Sequence, residues 1–108
     1  MGEKTKTAIV GGAIEAQALA CLQFDFEEPV IGAVLWKAIQ ERVGRSVSSG
    51  TVYTALTRLV AKKLIEESIT TQGRPARTYE INTRGTQVLE NYLESLRPKN
   101  KVETASIA

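Results

Sequence analysis

The chain has 108 residues, of which 43% are hydrophobic, and its formal net charge is +2. This length and composition predict one domain with a small core. The sequence contains no histidine and one cysteine, Cys21. An intrachain disulfide, zinc or iron–sulfur sites built from Cys and His, and histidine-based acid–base catalysis are therefore excluded.

The charge is unevenly distributed along the chain. Residues 37–84 contain nine Lys or Arg and four Asp or Glu, a net charge of +5, so the remaining residues carry −3. A basic middle between acidic flanks favours a polyanionic partner on one face of the domain. An ordinary solvated surface is the alternative interpretation of the same charges.

The N-terminal part of the chain predicts a flexible segment followed by a helix. Residues 1–7 are polar, whereas residues 8–24 are rich in Ala, Leu and Ile. The apolar run superficially resembles a bacterial lipoprotein signal ending at Cys21, but Glu15 and Gln17 interrupt it. We therefore interpret it as a helix of the domain and expect a cytoplasmic protein. Cys21 is expected to be a small buried side chain, with a redox role as the alternative.

This first predicted helix is apolar nearly all round. Its apolar residues lie on two sides, with Ile14, Ala18, Cys21 and Leu22 on one side and Ala16, Leu19 and Ala20 on the other. Such a helix is buried on more than one side. In so small a domain we expect the second cover to be another subunit, and therefore a homodimer.

An acidic turn at residues 25–29 leads into a second predicted helix at residues 31–43. Its apolar stripe ends before Gly44, a residue type that favours a left-handed helix cap. Trp36 fits the spacing of this stripe, so we expect it in the core; a ligand pocket is the alternative.

The third predicted helix, residues 49–62, has explicit start signals. Ser48 is a good N-cap, and Val47 and Val52 occupy the positions of a hydrophobic staple. Its inward face comprises Val52, Leu56, Leu59 and Val60. Its outward face is small or polar and comprises Gly50, Thr54, Thr57, Arg58 and Ala61, with Thr51 and Tyr53 at the edges. Two helices joined by a tight turn, the second with a small polar face, indicate a helix-turn-helix.

The rest of the chain predicts a β-hairpin and a last helix. Strand periodicity on either side of a turn at residues 70–76 places Ile65, Glu67 and Ile69 on one side of the first strand and Arg77, Tyr79 and Ile81 on one side of the second. Asn82 is expected to cap a helix at residues 83–97. Its apolar residues cover an arc wide enough for the core and a partner helix: Val88, Leu89, Tyr92, Leu93 and Leu96. Pro98 stops this helix, and residues 98–108 are expected to form a disordered tail.

These elements predict a mainly α fold with a small two-stranded β-hairpin, of the winged helix-turn-helix type within the α+β class. The domain would span residues 8–97 and dimerise through its first and last helices.

Several residues resemble those of the PadR-like transcriptional regulators: Gly50-Thr-Val-Tyr53, Leu56, Arg58-Leu59, Leu64-Ile65, Gly73-Arg74-Pro75, Tyr79 and Gly85. The resemblance runs over residues 32–89, just over half of the chain, and is fairly specific in combination. It implies a winged-helix DNA-binding regulator. Some members sense small aromatic or drug-like molecules, but no residue set here identifies such an effector, and no cofactor is expected.

The chain departs from the family pattern at a few positions. Thr54 stands where many members have Pro, and Asn82 replaces a frequent Thr while keeping its capping chemistry. Lys63 replaces the usual Gly before the first wing strand, so a non-glycine residue must end that helix. We expect the chain to resemble the small subgroup of the family, which lacks the long C-terminal helical domain of larger members.

We expect the N-terminal half of the third helix to enter the DNA major groove. The candidates for base or phosphate contact are Ser49, Thr51, Thr54, Thr57 and Arg58, whose hydroxyls discriminate bases weakly. The resemblance implies a phosphate contact for Tyr53. Arg74 and Arg77 on the wing are expected at phosphates or in the minor groove. Longer-range phosphate candidates are Arg45, Lys62 and Lys63.

Each candidate also has an ordinary surface interpretation. Thr54 and Thr57 could simply face solvent, Arg58 could form a surface ion pair, Tyr53 could serve packing, and Arg77 could pair with Glu67. We favour DNA binding because hydroxyls and cations cluster on one predicted face.

The leading hypothesis is a homodimeric transcriptional regulator, most simply a repressor, that binds a pseudo-palindromic operator. The alternative is a winged-helix protein–protein interaction module without DNA binding. An enzyme has little support, because no nucleophile–base pair or metal set can be named.

Overall fold

The computed structural model describes residues 11–71 and 73–98. Its elements are, in chain order, α1 (Ala13–Phe24), β1 (Val30–Ile31), α2 (Gly32–Val43), α3 (Ser49–Ala61), β2 (Ile65–Thr70), β3 (Ala76–Ile81) and α4 (Thr83–Ser95). Four helices and a small sheet with a projecting hairpin confirm the predicted winged helix-turn-helix. The expected flexible N-terminus, the residues 8–10 assigned to the first helix and residues 99–108 of the expected tail lie outside the described part.

The helix boundaries differ slightly from those predicted. Gly11 and Gly12 precede α1 rather than belonging to it, and Gly12 is its N-cap. Ile31 lies in β1, so α2 begins one residue later than expected. The last helix ends at Ser95, two residues before the predicted end. No helix in the described ranges is long and apolar enough to cross a bilayer.

The sheet contains a short third strand that the sequence analysis did not predict. The strands are ordered β1-β3-β2, and β1 pairs antiparallel with β3 through Val30 opposite Tyr79 and Ile31 opposite Thr78. A two-residue strand is too short to show an alternating pattern. The strand fixes the start of α2 against the inner edge of the hairpin.

The predicted hairpin is formed by β2 and β3, but only its base is buried. The pairs on one face run from Ile65 opposite Ile81, through Glu67 opposite Tyr79, to Ile69 opposite Arg77. Ile65 is 2% exposed, whereas Ile69 is 60% exposed. The outer half of the hairpin therefore extends beyond the core as a wing.

The core is built around α1, which packs against α2, α3, α4 and β3. Ala18, Leu19 and Cys21 are completely buried. The domain's own elements thus cover most of the apolar surface of α1, which the sequence analysis assigned partly to a second subunit. Phe24 at the end of α1 is the part of this helix that leaves a large apolar side chain exposed.

The predicted helix caps are confirmed. Ser48 Oγ accepts a hydrogen bond from Thr51 N at 3.1 Å, and Asn82 Oδ1 accepts one from Gly85 N at 2.8 Å. Gly44 ends α2 with a left-handed φ of 79°. Because each cap bonds within four residues, local sequence was enough to identify it.

A tight turn joins α3 to β2, and it places a lysine in the left-handed region. Lys63 has a φ of 64°. Its N–H bonds to Val60 O at 2.9 Å, and Leu64 N–H bonds to Leu59 O at 3.0 Å, which is the Schellman pattern of helix termination. A Cβ on Gly85 would overlap the Leu64 carbonyl oxygen. This glycine therefore lets α4 approach the turn.

Replacing Lys63 with Gly should stabilise the fold by about 1 kcal/mol, because glycine adopts this φ without the Cβ clash that lysine suffers. The free energy of unfolding in urea measures the change. The matched control is Gly44→Ala, which introduces the same clash at the end of α2 and should destabilise by a similar amount. An unchanged or lower stability of the Lys63→Gly variant would contradict this account of the turn.

Candidate nucleic-acid interface

The turn before α3 is held against α2 by two side-chain hydrogen bonds. Trp36 Nε1 donates to Val47 O at 2.7 Å, and Gln40 Oε1 accepts from Val47 N at 3.0 Å. Trp36 is half-buried and packs against the core, as its spacing predicted. These bonds, together with the Ser48 cap, set the angle at which α3 leaves α2.

The inner face of α3 anchors the helix in the core. Val52, Leu56 and Leu59 are completely buried and Val60 is partly buried, as predicted. Ala55 is also buried, at 5% exposure, so the inner face is one residue wider than expected. The remaining face of the helix is turned to solvent along its whole length.

The structure brings the six α3 candidates onto one exposed surface: Ser49, Thr51, Tyr53, Thr54, Thr57 and Arg58. Thr51 Oγ1 accepts from Ser48 Oγ at 2.9 Å, and Thr57 Oγ1 donates to Tyr53 O at 2.9 Å. Within residues 11–71 and 73–98, the side chains of Ser49, Thr54 and Arg58 have no hydrogen-bond or ion-pair partner. The surface ion pair considered for Arg58 is therefore not formed there.

Tyr53 is both packed and exposed. Its ring lies against Gly32, where an added Cβ would be 2.6 Å from the tyrosine hydroxyl oxygen. The residue is nevertheless 38% exposed. The absence of a side chain at Gly32 thus allows the Tyr53 hydroxyl to lie at the start of α2, beside the outer face of α3.

The start of α1 borders the same surface. A groove of about 620 Å³ separates it from α3 and is lined by Gly12 and Ile14 on one side and by Gly50, Thr54 and Arg58 on the other. The proximity of α1 to the outer face of α3 could not be predicted, since nothing in the local pattern relates residues so far apart in the chain.

A buried ion pair ties α1 to the C-terminal end of α3. Glu15 is 5% exposed, and its Oε1 accepts from Lys62 Nζ at 2.9 Å and from Gly11 N at 3.0 Å. The sequence predicts a polar interruption of the helix at Glu15 and a longer-range phosphate contact for Lys62. In the structure the Lys62 ammonium is engaged inside the domain, and Arg84 Nε donates to the Lys62 backbone oxygen at 3.2 Å.

The wing carries the other two candidate cations. Arg74 is exposed in the turn between β2 and β3. Arg77 Nη1 lies 3.2 Å from Glu67 Oε2, so the cross-hairpin pair considered from the sequence is present, but the Arg77 side chain remains 67% exposed. Exposed pairs contribute at most about 1 kcal/mol, so a phosphate could replace Glu67.

Tyr79 completes this small network at the base of the wing. Its hydroxyl donates to Glu67 Oε2 at 3.3 Å. Burial raises the pKa of the Tyr79 phenol, and the neighbouring Glu67 carboxylate raises it further. The phenol therefore stays protonated at neutral pH and keeps its hydrogen bond to Glu67.

Cys21 is completely buried in α1, as predicted. Burial, followed by the nearby Asp25 carboxylate, raises the pKa of its thiol to about 12. The reactive thiolate is therefore scarce at neutral pH. Asp25 itself bonds Arg42 through two contacts of 2.9 and 3.0 Å, and these bonds lower the pKa of its carboxyl group.

Replacing Glu15 with Ala should destabilise the domain by about 2 kcal/mol, because it removes a buried carboxylate that pairs with Lys62 Nζ at 2.9 Å. Chemical unfolding measures the loss. The control is Glu94→Ala, which removes an exposed pair with Arg97 at 3.4 Å and should change stability by less than about 0.5 kcal/mol. Equal losses of unfolding free energy in the two variants would show that the Glu15–Lys62 pair stabilises the domain no more than an exposed pair does.

The sequence matches the family model described as "Transcriptional regulator PadR-like family" over residues 21–91. A search of curated protein sequences finds no match.

Solved structures with similar folds include a PadR family transcription regulator from Clostridium difficile R20291, with a TM-score of 0.68 and 24% identity over 90% of this chain and 100% of that one. A transcriptional regulator from Clostridium thermocellum gives a TM-score of 0.67 and 19% identity over 87% and 92% of the two chains. Bacillus subtilis PadR in complex with operator DNA gives 0.66 and 21% identity over 79% of this chain and 49% of that one.

Proposed function

Because the chain belongs to the PadR-like family of transcriptional regulators, we propose that it binds operator DNA through the outer face of α3 and the wing. The family model covers the whole of α3, the hairpin and most of α4. The family consists of regulators rather than enzymes. The finer proposal concerns which residues meet DNA and how two copies are arranged.

The observation that carries the proposal is the composition of the exposed face of α3. Small side chains such as Gly50 let the helix backbone lie close to the floor of the major groove, which is wide enough to admit a helix. Ser49 and Thr54 then offer hydroxyls to base edges or phosphates. Arg58 supplies a cation that nothing within the described ranges neutralises, and it can bind guanine or phosphate.

The contacts of Tyr53 and the wing are proposed to position the domain on DNA. The Tyr53 hydroxyl is directed to a backbone phosphate, with Thr57 one turn further along the same side of the helix and Thr51 at the opposite edge of the outer face. Arg74 and Arg77 reach phosphates or the minor groove beside the segment occupied by α3. Such contacts fix register but carry little sequence information. That Bacillus subtilis PadR, which shares this fold, was solved with operator DNA supports the proposal.

We further propose a homodimer joined through α4 and the end of α1. Leu93 in α4 is 41% exposed, Leu96 at the C-terminal cap of α4 is 62% exposed, and Phe24 at the end of α1 is 60% exposed. A second copy would cover this apolar surface. Two-fold symmetry would then place the two α3 helices about one DNA turn apart, or about 34 Å, which suits a pseudo-palindromic operator and, most simply, repression by occlusion.

Selection of genomic fragments by the purified full chain tests the central proposal. Recovery of a discrete site with palindromic halves is expected. Failure to enrich any DNA at low salt would instead favour the winged-helix protein–protein interaction module. In that case neutralising Arg58, Arg74 and Arg77 would leave the protein's function intact.

On the recovered site, the Arg74→Ala/Arg77→Ala variant should bind more weakly, and its plot of log affinity against log salt should be shallower. The expected change in slope is about 0.9 for each phosphate contact that is lost. Fluorescence anisotropy over a range of salt concentrations measures it. Arg97→Ala, two residues beyond the end of α4, is the cation control. An unchanged slope for the wing variant would exclude phosphate contacts by the wing.

The Leu93→Glu/Leu96→Glu variant should be monomeric, because a like-charged and hydrated surface cannot be buried between two copies. Light scattering at working concentration measures the mass. The control is Val34→Glu, which changes an exposed apolar residue on α2 and should leave the dimer intact. A wild-type chain that is itself monomeric would overturn the dimer proposal.

A further inference from the structure

We propose that Ile69, near the end of the wing, is a further DNA-contacting residue that packs against deoxyribose in the minor groove. This inference rests on the DNA binding proposed above. The wing would then contribute an apolar contact in addition to its two cations. Its outer end would enter the minor groove far enough for the Ile69 side chain to lose its contact with water.

The position of Ile69 on the wing supports this contact with DNA. The residue is 60% exposed although it belongs to a regular strand, and it lies directly opposite Arg77 on the same face of the hairpin. Side chains directly opposite in an antiparallel pair lie about 5 Å apart at Cβ. A surface that Arg77 can reach is therefore also within reach of Ile69.

The charges around Ile69 also favour a contact with DNA. Arg74 lies in the turn beyond Ile69, and Arg77 lies across from it. The Arg77 guanidinium pairs with Glu67, two residues closer to the base of the wing, but the Arg77 side chain remains 67% exposed. Ile69 is thus an exposed apolar side chain with two cations close by. The DNA minor groove offers the complement, since sugars form its walls and phosphates form its rims. Minor-groove proteins commonly combine cationic and apolar side chains in this way.

The widths of the two DNA grooves decide which part of the wing can enter. A two-stranded ribbon fits the major groove, which is about 12 Å wide, but not the minor groove, which is about 6 Å wide. The backbone of the wing must therefore stay outside, and only side chains at its end can enter. Ile69 is suited to this because its β-branched side chain has few rotamers and loses little freedom on contact.

The experiment separates apolar from ionic contributions on the recovered operator. An apolar contact contributes affinity that does not depend on counterion release, whereas a phosphate contact does. Ile69→Ala should weaken binding about tenfold at every salt concentration without changing the salt slope. Ile69→Val should fall between the wild type and Ile69→Ala, and Ile69→Thr, with the same branched shape as Val but a hydroxyl, should bind more weakly than Ile69→Val.

Ser68→Ala is the matched control, because Ser68 is the adjacent exposed residue on the opposite face of β2 and should leave affinity unchanged. Unfolding free energies verify that the variants remain folded. Wild-type affinity of Ile69→Ala at each salt concentration would overturn the inference while the proposed DNA binding stands. A change of oligomeric mass in Ile69→Ala would overturn it in favour of a subunit contact. Absence of DNA binding by the wild-type chain would remove both proposals.

Discussion

The arrangement of the domain depends on a buried carboxylate, Glu15, which joins the first helix to the end of the third. Its partner Lys62 caps α3, and Lys63 and Leu64 close the turn immediately afterwards. Arg84 at the start of α4 bonds the Lys62 carbonyl. Three helices thus meet at one ion pair. Together with the bonds to Val47 and the Ser48 cap at its start, these contacts at its end hold the orientation of α3 in the domain.

The parts of the fold that could be predicted from sequence are those with local causes. Ser48 and Asn82 cap helices through bonds to residues three positions ahead, and the helical period fixes which side of α3 is buried. The β1 strand could not be predicted in this way, because Val30 and Ile31 become a strand only through pairing with β3, almost fifty residues later. The burial of Glu15 has the same origin, since its partner is 47 residues away.

The candidate site likewise has parts that local sequence could predict and parts that depend on residues distant in the chain. Helical periodicity was sufficient to place Thr54, Thr57 and Arg58 on an exposed face, but it could not relate that face to the start of α1 or place Tyr53 against Gly32. Periodicity also indicates how much of a helix is buried without identifying what covers it. The apolar surface of α1 was therefore assigned in part to a second subunit, whereas α2, α3 and α4 of the same chain cover most of it.

The single cysteine has a practical consequence for spectroscopy. Cys21 is completely buried in the core, and this burial raises the pKa of its thiol to about 12. Maleimide reagents at neutral pH would therefore leave it untouched in the folded state. A cysteine introduced at a surface position could carry a fluorophore or spin label without removal of the native one. The chain therefore provides an unlabelled background for a probe placed on the wing.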